Sequence, residues 1–258
     1  MTRRIGTALT GLIVLLAISG PFLAGSPTRT VGPPFSSATG FLGTDFLGRD
    51  VLARVLSGGQ SVLLYAGAAT VLAYLGGIII GLVSGYFGSW PDGVLMRGVD
   101  VLLSFPSLVF LLLFATAFGR GIASVVIATA VIQLPAVARI VRTAALEQAT
   151  RGYVEAAVLR GERAAAVIAR EILPNITRPI SADLGLRFTW SVLLIASVNF
   201  LGLGLQPPAA DWGLMVAENR AGMHLELNPM AVLAPAFMLG VLTVAINLVS
   251  DALAGDGR

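Results

Sequence analysis

Six stretches of this 258-residue chain contain no charged residue, and nothing else limits its fold so strongly. They cover residues 5–28, 55–91, 101–119, 121–138, 188–210 and 227–250. A helix of roughly 20 apolar residues crosses the hydrocarbon core of a bilayer, where every backbone polar group must be bonded internally. Each stretch is long enough for one crossing, so the sequence predicts an all-α polytopic membrane protein with six transmembrane helices. The chain is 56% hydrophobic and 12% charged, against about 25% charged for a soluble domain. The second stretch is the longest. It accommodates a span over about 61–87, and two helices would fit only with a tight turn at Gly76-Gly77.

Missing residue types exclude several chemistries. There is no Cys, which removes disulfides, thiolate catalysis and Cys-ligated metal. There is no Lys either: all 17 basic residues are Arg. A P-loop needs its Lys on the phosphates, so ATP and Mg would have to be bound by partner subunits, and no cofactor is expected here. A sequence pI near 9.9 invites a nucleic-acid reading. The arginines, however, are scattered around apolar spans and fit membrane topology instead, so no nucleic acid is expected.

With six spans and an inside amino terminus, the cytoplasmic pieces hold eleven arginines: 3, 4, 97, 139, 142, 151, 160, 163, 170, 178 and 258. The outer pieces hold five, at 29, 49, 54, 120 and 220, and Arg187 lies in the fifth span. Positive residues favour the inside, so both termini are expected in the cytoplasm of a plasma or inner membrane. Residues 1–24 also resemble a signal peptide, but their long apolar run reads better as an uncleaved anchor.

The segment 153–175 is charged, Ala-rich and set between apolar spans. Ala, Leu, Glu and Arg favour helix over 144–160 and again over 162–171, with Gly161 between and Pro174 at the end. Two short helices with a glycine hinge are expected, in a loop at about 144–174. Ala156 and Ala157 are small enough for a partner's groove to approach, with Glu155, Arg160 and Arg163 at its rim. The order Glu155-Ala156-Ala157, Gly161, Leu173-Pro174 resembles the EAA loop of ABC-importer permeases, the membrane subunits that couple a separate ATPase to a pore. One departure is Glu171, where that family usually has Ile two residues before Leu-Pro; here Ile172 stands beside it.

Residues 25–40, rich in Pro, Ser, Thr and Gly, read as an external loop, and LGTDFLGRDVLARV, residues 42–55, follows as a short interfacial helix leading into the second long stretch. It resembles the corresponding segment of dipeptide, oligopeptide and nickel permeases, most closely the C-type subunit of dipeptide importers. The resemblance implies a second permease subunit in a heterodimer, two cytoplasmic ATPases, an extracytoplasmic binding protein and a type I permease fold in the lipid bilayer. Peptides are the implied cargo, with nickel or another small solute as the alternative. The chain divides into 1–60, an anchor with its external loop, and 61–258, a five-helix core.

Other residues invite roles. Asp45, Arg49, Asp50 and Trp212 lie in external segments, either pairing and capping locally or facing the binding protein. Ser104 before Pro106, Gln133 beside Pro135, and Asn199 are pore-lining candidates, because polar groups in spans need partners or a water path. Gly77, Gly81 and Gly85 form a small face, for packing within the bundle or against the second permease. Asp183 and Arg187 are set to pair. His224 with Glu218 and Glu226 is too sparse to predict a metal site. An ion-coupled transporter would need an unpaired membrane acid, for which Asp100 is the only candidate. An intramembrane enzyme finds no HExxH, no GxSxG with a matching His and no catalytic Cys.

Overall fold

The computed structural model describes residues 2–119, 121–224 and 227–255. Arg120 and Arg258 of the charge tally, and Glu226 of the His224 group, lie outside the described residues. Among those described, the regular elements are helices. In order they are α1 (Thr2–Leu23), α2 (Val51–Phe87), α3 (Ser89–Leu103), α4 (Ser107–Ala117), α5 (Ile122–Ala149) and α6 (Gly152–Leu159). Then follow α7 (Ala164–Val167), a π-turn (Ile168–Ile172), α8 (Leu173–Asn175), α9 (Thr177–Phe200), α10 (Trp212–His224) and α11 (Met230–Gly255).

Four helices are long and apolar enough to cross a membrane: α2, α5, α9 and the Met230–Ser250 part of α11. The third charge-free stretch does not make one straight span. It is divided between α3 and α4, which meet at a 90° bend. Pro106 supplies the reason, since it has no N–H and disfavours helix in the residue before it. The apolar part of α1, Thr10–Leu23, is shorter than a full span. The second stretch holds a single helix of 37 residues.

No separate interfacial helix forms ahead of α2. Residues 30–50 make a loop tied by isolated bridges between Thr30 and Arg49 and between Thr44 and Asp50. Gly43 and Gly48 there adopt φ of +75° and +74°, which a helix forbids. Asp50 then starts α2, its carboxylate accepting from the N–H groups of Leu52 (2.8 Å) and Ala53 (3.3 Å). At the other end of the chain, α9 begins eleven residues before its charge-free stretch. It tolerates Asp183 and Arg187 because they pair on one face at 3.0 Å.

Close approach of α2 to α5 organises the bundle. A Cβ on Gly77 would stand 2.6 Å from Val137 Cβ, and one on Gly81 would stand 2.6 Å from Val141 Cβ and 2.7 Å from Ala138 O. A Cβ on Gly85 would stand 2.7 Å from Ala145 Cβ. The glycine face is therefore filled by this chain's own helix. Two buried apolar clusters result. One gathers Val51, Leu111, Val125, Trp212 and Leu242. The other joins Tyr74, Leu82, Val137 and Val141 to Val154, Ala157, Val167 and Ile172 of the segment after α5.

Gly81→Val should destabilise the protein by about 1–3 kcal/mol through overpacking. Gly67→Ala, on the same helix with nothing within 4 Å of its added Cβ, should be neutral or stabilising by up to about 1 kcal/mol. Thermal unfolding of the detergent-purified variants reads both, and equal shifts would contradict the packing.

Candidate functional site

The segment 153–175 is built on the second cluster. Helix α6 turns Val154 and Ala157 inward, both at 2% exposure or less. It leaves Glu155, Ala156, Val158, Leu159 and Arg160 outside. Its end is a Schellman cap: the Gly161 N–H reaches Val158 O at 2.9 Å and the Glu162 N–H reaches Ala157 O at 3.2 Å. Gly161 takes φ +78° for this. It is the glycine turn between the two short helices. Arg160 pairs with Glu162 at 2.6 Å, and Arg163 is exposed ahead of α7. Leu173 is half-buried and Pro174 exposed. The expectation that Ala156 and Ala157 present one small surface needs correction. Ala157 is fully enclosed by its own chain, and the outermost apolar side chain is Leu159, 81% exposed.

The π-turn explains the Glu171 departure. In an α-helix the residue four after buried Val167 faces the same way; in a π-turn it is the residue five after. That residue is Ile172, which is fully buried, while Glu171 is half-exposed. The π-turn thus brings Ile172, not residue 171, onto the inward face.

At the opposite end of the bundle, the loop 30–50 is locked to α10 by charge. Arg49 Nε donates to Asp45 Oδ2 at 2.6 Å, and Arg54 Nη1 donates to the same oxygen at 2.5 Å. Glu218 Oε2 lies 3.2 Å from Arg49 Nη2 and 3.0 Å from Arg54 Nη1. The Arg54 Nη2 group also bonds Ala209 O at 2.8 Å. Two acids and two arginines make a neutral cluster, every member at most 6% exposed. Burial raises the Asp45 carboxyl, but hydrogen bonds from the Arg49 N–H, the Arg54 guanidinium and the Leu47 N–H outweigh it and hold the group below its ordinary value. Its stabilising contribution is therefore present above the unfolded carboxylate pKa and is lost as pH falls through the lower folded one. Burial pushes Glu218 up, against the pull of Arg54 and Arg49, so its contribution has the opposite pH sense.

Trp212 is also interior, its Nε1 donating to Val55 O at 2.7 Å against Gly58 and Gly59. Asp45, Arg49 and Trp212 are thus turned inward, and Asp50 caps α2. None of the four is arranged as an outward-facing contact. Sequence reasoning did not single out Glu218 as a partner of this loop because Arg49 and Glu218 are 169 residues apart, and it passed over Arg54 although its partner Asp45 is nine residues away.

Of the pore-lining candidates, two are interior. Gln133 Nε2 donates to Ser191 Oγ at 2.5 Å, and Ser191 is 2.9 Å from Thr70 Oγ1, tying α5 to α9 and α2. Asn199 Nδ2 donates to Asp211 Oδ1 at 3.0 Å and its Oδ1 accepts from the Leu205 N–H at 2.9 Å. Burial raises Asp211, opposed by the Leu214 N–H, Asn199 and Ser61. Ser104 alone is exposed, at the α3–α4 break. Asp100 is paired with Arg139 at 2.5 Å and is not a free membrane acid. No convergent group of metal-ligating side chains occurs among the described residues.

The family described as binding-protein-dependent transport system inner membrane component matches residues 77–255. The chain belongs to that family and is a permease subunit of an ATP-binding-cassette importer, a transport component and not an enzyme. It is similar to the glutathione transport system permease protein GsiD of Pectobacterium atrosepticum, 37% identical over 84% of this chain and 71% of the relative. It is also similar to the dipeptide transport system permease protein DppC of Alkalihalophilus pseudofirmus, 31% identical over 95% of this chain and 83% of the relative. Among solved structures, the inward-facing MetNI methionine ABC transporter shares the fold with a TM-score of 0.63 at 17% identity, over 78% of this chain and 94% of that one.

Arg54→Met should cost about 3–5 kcal/mol, because it strips one partner from buried acids. Arg151→Met, whose pair with Glu147 is more than half exposed on both sides, should cost under about 1 kcal/mol. Chemical denaturation of the two variants separates them, and similar losses would contradict the structural role of the cluster.

Proposed function

We propose that this chain is one of two permease subunits, in a heterodimer, that form the path for di- or oligopeptides delivered by an extracytoplasmic binding protein. Two ATPase subunits dock from the cytoplasm on the loops of the two permeases, this chain contributing the segment 153–175. The chain crosses the inner or plasma membrane six times, α3 and α4 together making one crossing, with both termini inside. The peptide cargo rests on the relatives, whose names are those of glutathione and dipeptide permeases.

The observation that carries the docking reading is the contrast across α6: Val154 and Ala157 are sealed into the inner core, while Leu159 is 81% exposed beside Ala156 and Arg160. A large apolar side chain held out on a capped turn is a natural anchor for a partner groove. Glu155, Arg160 and Arg163 contribute rim charges, and Leu173-Pro174 returns the chain to α9. ATP-driven closure of the ATPases would move α6 together with α2 and α5, switching the pore between two arrangements.

Leu159→Asp should leave thermal stability near the parent's and weaken co-purification of the ATPases by about 2 kcal/mol or more. Ala157→Trp should instead lower stability, since its site is filled by the chain itself. ATPase association at parental level with Leu159→Asp would sink the docking surface. For topology, the Cys-free chain allows clean labelling: Ser37→Cys should react with an impermeant thiol reagent from outside and Thr150→Cys should not. The reverse pattern would overturn the orientation.

A further inference from the structure

Facing α3 and α5 flank an open cleft of about 330 Å³ lined by Asp92, Gly93, Met96, Asp100, Arg139, Arg142 and Thr143. That volume is in the range of small-ligand sites. Its two Asp–Arg pairs differ in kind. Asp92 is gripped by Arg142 through two hydrogen bonds of 2.5 Å and also accepts from Ser84 on α2, at 19% and 31% exposure. Asp100 and Arg139 share a single 2.5 Å contact and are 59% and 53% exposed. The first pair braces three helices. The second is weakly held and free to exchange partners, because solvent screens it.

Arg139 is the first charged residue after the apolar run 121–138 of α5, so the pair sits at the edge of that run, where charged side chains can meet water or a protein partner. Ser104, the one exposed pore candidate, caps α3 four residues after Asp100.

We infer that this cleft is a substrate subsite on the cytoplasmic half of the path, and that it selects zwitterions, Asp100 receiving an ammonium group and Arg139 a carboxylate. The inference rests on the peptide-importer reading and adds to it where and how a free peptide is recognised. The cleft carries equal numbers of acids and arginines, so a purely anionic or purely cationic solute would meet one repelling group. A molecule bearing both charges replaces each half of the opened Asp100–Arg139 pair with a new one, and Met96 offers an apolar wall to a side chain.

The test uses the complex of this chain with its second permease and ATPases in nanodiscs, without the binding protein, and three probes: dialanine, N-acetyl-dialanine and dialanine amide, with binding measured by equilibrium dialysis. The parent should bind dialanine about tenfold more tightly than either capped form, the loss expected when one charged hydrogen-bond partner is removed. Asp100→Asn should erase the discrimination against the acetylated probe alone, and Arg139→Gln that against the amide alone. Arg97→Gln, outside the cleft lining, should keep the parental ratios. A purely structural pair would not divide the two discriminations in this way. No dialanine binding, equal binding of all three probes, or parental ratios in both cleft variants would overturn the inference. Dialanine uptake by the assembled transporter is read separately. Uptake without discrimination in binding sinks only the cleft, and absence of uptake sinks the peptide reading.

Discussion

The approach of α2 to α5 along Gly77, Gly81 and Gly85 sets the spacing on which the inner half of the molecule depends. With no side chain on α2 at these three positions, Val137, Val141 and Ala145 of α5 close directly onto its backbone. Helices in lipid gain little from hydrophobic exclusion and rely on such contact and on hydrogen bonds. The same α5 residues turn a second side toward Val154, Ala157, Val167 and Ile172. A solvated two-helix segment is thereby joined to the membrane bundle by apolar packing, and the turn at Gly161 is fixed by its cap. Force applied to α6 has a short, packed route to α2.

The two ends of the bundle use different physics. At the end that carries 153–175 the joint is apolar and continuous. At the opposite end a neutral cluster of four buried charges, Asp45, Arg49, Arg54 and Glu218, holds the loop 30–50 against α10, and Asn219 accepts a bond from the Phe46 N–H at 3.0 Å. Buried ion clusters contribute little net stability against an apolar alternative but tolerate few other arrangements. That suits a surface loop whose position matters more than its energy. Between the ends, the Gln133–Ser191–Thr70 chain ties α5, α9 and α2 at mid-depth.

Much of the bundle was legible in the sequence because lipid imposes a rule that composition obeys. Charge-free stretches mark where α2, α5, α9 and α11 run, and the Glu155-to-Pro174 order marks the family. Departures came where local chemistry overrode the pattern. Pro106 broke one stretch by 90°, and Gly43, Gly48 and the Asp45 side chain replaced an expected helix with a tied loop. The π-turn that rescues Ile172 leaves no signal except a one-residue mismatch. Side-chain direction was the least legible property. Gln133, Asn199, Asp45, Arg49 and Trp212 were noticed for their chemistry, yet all are turned inward, and the outward-facing Leu159 is an ordinary leucine in sequence. Pairing across 169 residues, as between Arg49 and Glu218, cannot be read from spacing at all.

The claim that apolar packing makes the segment 153–175 and the bundle one moving unit is tested most directly by spin-label distances in the assembled transporter. The Cys-free chain accepts labels at exposed Ala165, beside α6, and at exposed Leu75 on α2. The expected result is that the Ala165–Leu75 distance stays the same with and without ATP, while the distance from Ala165 to a label on the other permease subunit changes. A change of the Ala165–Leu75 distance as large as the change between subunits would contradict it.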